Sequence, residues 1–240
     1  MLTVLRGTLT PLGMAMKKRS PLLNNLVAYW KLEEATGTRV DATGRGNDLT
    51  DNNTVGQAVG KIGNCAQFVS ANSEYLSILD NADVRTGDID WTIGFWCKLD
   101  NKTDHRVIIA KDDLGTQREY SCYYHLSLDR IIVEFQGTNY VKADNLGSPV
   151  LNTWYGILFW HDSVANQICI RVNNGAANTV TTTVPGATKA SQFRIGAFAN
   201  SVDFLGGLVD SVGIWKRLLS ADEQTEWYNN GNGNEYPFAA

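Results

Sequence analysis

Residues 91–99 read WTIGFWCKL, and the run alternates, with Trp91, Ile93, Phe95, Cys97 and Leu99 on one side and Thr92, Gly94, Trp96 and Lys98 on the other. Successive side chains of an extended chain point to opposite faces, so such a run buries one face in a core and turns the other to solvent or to a groove. Short runs of the same character recur along the chain: LVAYWKL at 26–32, CAQFV at 65–69, EYLSI at 74–78, RVIIAK at 106–111, YYHLSL at 123–128 and RIIVEF at 130–135. WYGILFW at 154–160, QICIRV at 167–172, FRIGAF at 193–198 and LVDSVGIWKRL at 208–218 continue the series. Turn-rich stretches such as TGTRVDATGRGNDLTDNN at 36–53 separate them, and no helical pattern is interleaved. About a dozen short strands without helices between them predict an all-β, two-sheet antiparallel sandwich and argue against a parallel α/β fold. One helix is predicted, at the C-terminal end. Ser220 with Glu223 three residues on makes a capping box, ADEQTEWYNN follows with Trp227 on its buried face, and NNGNG stops it.

Composition points the same way. A chain of 240 residues, 43% hydrophobic and 19% charged, describes one globular domain with residues to spare. Gly 22, Asn 21 and Thr 20, beside Trp 7, Tyr 9 and Phe 8, are the residues of turns and strands. No apolar run approaches the roughly 20 residues of a membrane-spanning helix, so membrane insertion is not expected. The formal charge of −4 is uneven: Arg6, Lys17, Lys18 and Arg19 are the only charged residues before Val27, which leaves −8 on the remainder. An acidic body is poorly suited to sequence-specific nucleic-acid binding, which calls for a basic face. Residues 1–25, with Gly7, Pro11, Gly13, Pro21 and no sustained period, are read as an extended basic arm ahead of a domain at 26–240. Arg6 interrupts the apolar residues early and the basic cluster follows them, the reverse of a secretory leader. Cys65, Cys97, Cys122 and Cys169 have no metal-ligand spacing and read as reduced, buried small side chains, the alternative being one or two disulfides in an oxidising compartment.

Four stretches in this order, LVAYWKLEEATGTRVDATGRGNDLT, WTIGFWCKLD, NTWYGILFWHD with QICIRVNNG, and FLGGLVDSVGIWKRLLSADEQTEWYNNG, resemble the LamG-like jelly-roll domains of the concanavalin A-like lectin/glucanase superfamily. The resemblance spans roughly Leu26 to Gly231 and leaves the arm uncovered. It implies a jelly-roll sandwich with one curved sheet, rim loops that bind glycans in relatives, and often a structural calcium ion. The residues suited to that ion are Asp41, Asn47 and Asp48, with Asp210 closing the set, because calcium takes hard oxygen ligands. The alternative is that Asp41 and Asn47 satisfy turn N–H groups while Asp210 caps or pairs with Lys216 or Arg217. For glycans the candidates are Tyr120, Tyr123, Tyr124, Tyr140 and Trp160, with His125, Asn139, Asp112 and Asp113 as polar companions, since sugars stack on exposed rings and are oriented by polar groups. The tryptophans Trp30, Trp91, Trp96, Trp154, Trp215 and Trp227 match packing positions.

No catalytic residue is assigned. The chain holds no GxSxG, HExxH or Gly-rich phosphate loop, has only His105, His125 and His161 as imidazoles, and lacks the alternating acids that superfamily glycosidases place on one strand. The arm carries Leu5, Arg6, Leu9, Lys17, Lys18 and Arg19 as its anchoring candidates, apolar residues to bury and cations to meet an acidic surface. The leading expectation is a non-enzymatic decoration or adhesion protein, anchored by this arm to other subunits of a larger assembly, a bacteriophage virion, with the sandwich facing outward toward surface glycans. The alternatives are a free, extracellular carbohydrate-binding module of a bacterial glycan-degrading system and, third, a glycan hydrolase or lyase. Pairing of two copies through a sheet edge is open to any sandwich.

Overall fold

The computed structural model describes residues 19–238. In chain order the strands are β1 (Leu26–Trp30), β2 (Thr50–Asn52), β3 (Gly56–Val59), β4 (Asn64–Phe68), β5 (Tyr75–Ile78), β6 (Trp91–Leu99), β7 (Arg106–Lys111) and β8 (Tyr120–His125). They continue with β9 (Arg130–Phe135), β10 (Asn139–Lys142), β11 (Tyr155–Asp162), β12 (Gln167–Val172), β13 (Asn178–Thr181), β14 (Phe193–Ile195) and β15 (Gly207–Trp215), and a helix, α1 (Ala221–Tyr228), follows. They form two antiparallel sheets. The larger, of eight strands, runs β13-β12-β11-β6-β15-β4-β3, with β1 also pairing β15; the smaller, of seven, runs β10-β9-β8-β7-β14-β5-β2. This is the jelly-roll sandwich that the strand pattern and the resemblance predict.

The alternation of residues 91–99 holds: Trp91, Ile93, Phe95, Cys97 and Leu99 all enter the core between the sheets. They meet Ile157 and Phe159 of β11 and, from the facing sheet, Tyr120, Cys122, Ile131, Val133 and Phe135. Trp30 crosses the sandwich to stack on Phe193 at 5.2 Å and donates its indole N–H to the Asn47 carbonyl at 2.7 Å. The four cysteines are free and buried. Five of the six tryptophans read as packing residues are buried, and Trp154 is half-buried with the Lys98 ammonium 5.4 Å from its ring.

Part of the outer face of the larger sheet is covered. Trp96 points out from β6, and α1 lays Trp227 and Tyr228 against it at 5.7 and 5.6 Å. Leu22, Tyr29, Leu158, Trp215, Leu219 and Phe238 complete this second apolar cluster. Helix α1 starts where the capping box predicts: Ser220 accepts from the Glu223 N–H, and the Glu223 carboxylate accepts from the Ser220 N–H. Residues 20–25, read as the end of the arm, are part of this packing. Leu22 is fully buried, its carbonyl accepts the Trp215 indole N–H at 2.7 Å, and Arg217 donates to the carbonyls of Pro21 and Asn24 at 2.8 Å each. Arg19 is exposed at the start of the described residues; Leu5, Arg6, Leu9, Lys17 and Lys18 lie outside them.

Two features differ from the expectation. Strands β2, β3, β10 and β13 were not anticipated, and they are the outermost strands of the two sheets. The run expected at 123–128 sits three residues earlier, because Leu126 to Asp129 form a turn in which the Asp129 N–H donates to the Leu126 carbonyl at 3.1 Å.

Candidate functional site: the outer face of the smaller sheet

With α1 and both ends of the described chain on the larger sheet, the outer face of the smaller sheet carries no helix; Val107, Ala110, Ser121, Tyr123 and Ile132 on it are nonetheless buried, and it is exposed mainly at its edge strand β10. Tyr120, Cys122 and Tyr124 of β8 enter the core, so Ser121, Tyr123 and His125 point outward. By the same alternation β9 turns out Arg130, Ile132 and Glu134, and β10 turns out Tyr140 and Lys142. Strand register sets them in rows across the sheet: Tyr140, Glu134, Ser121 and Ala110 in one, Lys142, Ile132, Tyr123 and Val107 in the next, then Arg130 beside His125. Directly opposed residues have Cβ atoms about 5 Å apart, so neighbours within each row touch.

The floor near β7 is apolar. Phe198 comes over from the loop after β14 to meet the Tyr123 ring edge-on at 5.4 Å, joined by Val107, Ala110 and Ile132. The Ala199 N–H donates to the Asp112 carbonyl at 2.8 Å and holds this loop in place. Beside the floor lies a polar cluster. The Tyr123 hydroxyl donates to Glu134 Oε2 at 3.1 Å, Arg118 donates to Glu134 Oε1, and the Arg118 Nε lies 3.3 Å from Asp112 Oδ2. Burial raises the Asp112 carboxyl above its ordinary value against the pull of Arg118. Burial, with Glu134 alongside, also raises the Tyr123 phenol, which stays protonated as a donor. The Ser121 hydroxyl, in the same row as Glu134, is buried and has no partner among the described residues.

His105 and His125 meet edge-on at 4.5 Å beside Tyr123. Each Nδ1 accepts a main-chain N–H, His105 from Leu126 at 3.2 Å and His125 from Leu128 at 3.3 Å, so each neutral ring carries its proton on Nε2. Burial, then His105, holds the His125 imidazole below its ordinary value. At the rim Tyr140 is 48% exposed, the one aromatic ring among the large apolar side chains that the described residues leave exposed.

Of the five aromatics read as glycan residues, Tyr123 and Tyr140 share this face. The others do not reach it. Tyr120 is fully buried with its hydroxyl donating to the Val84 carbonyl at 2.8 Å, and Tyr124 is in the core with its hydroxyl on Asp129 at 2.9 Å. Tyr123 and Tyr124 are neighbours in one strand and so necessarily face opposite ways. Trp160 lies on the outer side of the larger sheet, 5.9 Å from the Arg171 guanidinium. Among the companions, Asp112 and His125 belong to the face, Asn139 accepts from Thr183, and Asp113 closes a turn by accepting the Gly115 and Gln117 N–H groups. Nothing in the sequence marks Arg118, a lone cation in a loop; the outward register of RIIVEF is the signal that marks Glu134.

The residues suited to calcium do not fit an ion. Asp41 Oδ1 accepts the Tyr29 N–H and the Thr43 N–H and hydroxyl, and its Oδ2 accepts the Asn47 N–H and side-chain amide. Asp48 accepts the Asp41 N–H, and the Asn47 amide also donates to the Val27 carbonyl and to Asp83. Asp210 sits apart, at the bulge of β15, accepting the Lys61 and Ile62 N–H groups at 2.7 and 2.8 Å and the Ser211 hydroxyl at 2.8 Å. These carboxylates serve as internal acceptors, and among the described residues no three His, Cys, Asp or Glu side chains converge on a metal position. A cleft of about 380 Å³ opens on the larger sheet, lined by Val59, Gln67, Lys98, Asp100, Asn152 and Leu208, but its one ring, Phe68, is buried.

Similarity to known proteins is one of fold. The chain is similar to domain 4 of AbnA, a GH43 extracellular arabinanase from Geobacillus stearothermophilus, in complex with arabinotriose, at 16% identity and a TM-score of 0.61 over 84% of this chain and 97% of that one. It is similar to the binding domain of Paraclostridial Mosquitocidal Protein 1 at 14% identity and a TM-score of 0.68, over 86% of this chain and 52% of that one. Against Trypanosoma rangeli sialidase the values are 13% and 0.62, over 88% of this chain and 34% of that one, so the chain spans about half of the second protein and a third of the third. No curated protein sequence matches. The model of Laminin_G_3, in the Concanavalin A-like lectin/glucanases superfamily, matches residues 70–223, more than half of the chain, and the chain belongs to that family.

Proposed function

We propose that this chain is a non-catalytic glycan-binding jelly roll, that it meets sugar with the outer face of the smaller sheet, and that residues 1–25 attach it to a larger assembly. The observation that carries this reading is the exposed Tyr140 ring beside the hydrogen-bonding cluster of Glu134, Arg118 and Tyr123, at the β10 edge of that face. A ring presents a surface for the C–H face of a pyranose or furanose, while fixed polar groups orient its hydroxyls. The same fold in an arabinanase domain holding arabinotriose supports the ligand class. A non-catalytic role is favoured because the sequence lacks the alternating acids that superfamily glycosidases place on one strand.

For the assembly we favour a bacteriophage virion, with the sandwich as a decoration or adhesion module. The described end of the arm and the C-terminal Phe238 both pack on the larger sheet, so attachment and sugar binding would occupy opposite faces. A second reading, a carbohydrate-binding module of a glycan-degrading system, draws on the 97% coverage of the arabinanase domain. Titration of a glycan panel against wild type and Tyr140→Ala tests the face: loss of a stacking ring weakens binding about tenfold. Equal affinity in both proteins would remove Tyr140, and this face with it, from the proposal.

A further inference from the structure

We infer that the turn between β8 and β9 is an acid-operated switch: His105 and His125 hold residues 126–128 closed as neutral acceptors, and protonation of the pair releases them. The inference goes beyond glycan binding and does not depend on what the protein binds. Antiparallel register brings the two rings together. Arg106 lies opposite Tyr124, so the residue before β7 falls beside the last residue of β8. The ring centres are 4.5 Å apart, and both Nδ1 atoms are spent on the same turn, that of His105 on the Leu126 N–H and that of His125 on the Leu128 N–H. Each bond requires an unprotonated Nδ1. A proton added to either neutral ring goes to that nitrogen, sets one N–H against another and ends the bond. A second proton then places two cations side by side, and separation of the rings relieves their repulsion.

Little packing opposes the release, because Leu126, Ser127 and Leu128 are all exposed. The base of the turn is tied separately: the Asp129 carboxylate accepts from the Lys102 ammonium at 2.8 Å and from the Tyr124 hydroxyl at 2.9 Å. Hydrogen bonding to Lys102 pulls the Asp129 carboxyl down to about 2, so this tie keeps its charge while imidazoles titrate. Other charged groups face the pair. Asp104 accepts the His105 main-chain N–H, Asp203 bears on His105 from the loop after β14, and Glu134 bears on His125 from β9. These carboxylates favour a proton on the pair. Of the cations, Arg106 is held by Asn101, Thr103 and the His105 and Phe204 carbonyls, and Arg130, opposite His125, reaches Asp144. Burial, then His105, holds His125 below the ordinary imidazole value of 6.5. The closed turn thus prefers the neutral ring, and its stability is complete above about pH 6.5 and is lost as pH falls below it. The Tyr123 ring lies 5.9 and 6.0 Å from the two imidazoles, so the switch abuts the aromatic floor of the smaller sheet.

The test is NMR on the full chain, following the ring nitrogens of His105 and His125 and the amides of Leu126 and Leu128 between about pH 8 and about pH 5. At the upper end both rings are expected in the Nε2–H form. As they titrate, protection of the two amides, taken relative to the intrinsic exchange rate at each pH, is expected to fall about tenfold or more, with the midpoint of the imidazoles. His105→Asn together with His125→Asn places an amide oxygen near each Nδ1 position, an acceptor that takes no proton in this range. The double variant is expected to keep its protection throughout, although Asp104, Asp203 and Glu134 remain to titrate as before. Imidazoles that titrate while both amides stay protected would overturn the inference. So would an Nδ1–H form in wild type at the upper pH, or a double variant whose amides lose protection as the wild type's do. The wild-type midpoints decide the matter by themselves where the double variant does not fold.

Discussion

Asp210 is a carboxylate withdrawn from water, at a bulge where the register of β15 against β6 slips and Ser211 turns to a φ of 53°. Burial pushes it up to about 6, and the donors from Ile62, Ser211 and Lys61 pull it back only part of the way. Its folded-state value thus lies above the 3.8 of an unperturbed carboxyl, and the stability it contributes is present at acid pH and lost as pH rises through about 6. Asp210→Asn can keep the contacts, its amide oxygen on the loop and its N–H on Ser211. Relative to wild type, the variant is expected to gain up to about 3 kcal/mol in urea unfolding between roughly pH 4.5 and pH 8. A pH-independent difference between the two proteins would show that Asp210 keeps its charge throughout. The sequence marks Asp210 as an unusual acid in an apolar strand, but not its role, because its loop partners are main-chain N–H groups that every residue but proline supplies. Tyr123 and Tyr124 make the same point: residue type was legible, and which of two adjacent rings faces out depended on a register set by the strand's true start at Tyr120.

At the scale of elements, the interior strands were readable because burial on at least one face imposes alternation or a continuous apolar run. β6, β7, β9 and β12 fall where the pattern put them. The four strands the pattern missed, TDN, GQAV, NYVK and NTVT, are all sheet edges, where one side of the ladder meets solvent and polar residues are favoured. Tyr140 lies on one of them, which is why the exposed ring of the proposed site was recognisable as an aromatic but not as a strand residue. Helix α1 was readable from its cap; its docking depends on a residue with no side chain. A Cβ added to Gly94 would lie 2.7 Å from Leu158 Cδ2 and 3.2 Å from the Trp227 ring, so the helix seats Trp227 in the space that glycine leaves. Gly94→Ala is therefore expected to destabilise the fold by about 1–3 kcal/mol by overpacking, read as a lower urea midpoint. An unchanged midpoint would mean that α1 shifts freely and does not staple the sheet.

For the whole molecule, the two outer faces divide: the helix, residues 20–25 and Phe238 pack on one, and the other presents Tyr140 at its β10 edge. This division fixes where the arm can be cut. A chain begun at Leu26 loses the fully buried Leu22, the acceptor of the Trp215 indole and the Pro21 and Asn24 carbonyls to which Arg217 donates. Leaving a cavity and a buried N–H without a partner should cost on the order of 3–5 kcal/mol, a fall of roughly 10 °C in Tm for a chain of this size. A chain begun at Arg19 keeps all of these contacts and should melt with the full-length protein. Light scattering on the full chain and the Arg19 version then isolates the first eighteen residues from the fold. If only the full chain self-associates, or only it joins purified particles, while both bind glycan equally, attachment and recognition are separate properties on opposite faces. If the two versions are alike in assembly and binding, residues 1–18 do not anchor the molecule, and the free carbohydrate-binding module becomes the better account. Equal melting of the Leu26 and Arg19 versions would contradict the packing of Leu22 itself, and with it the placement of the arm's end on the covered face.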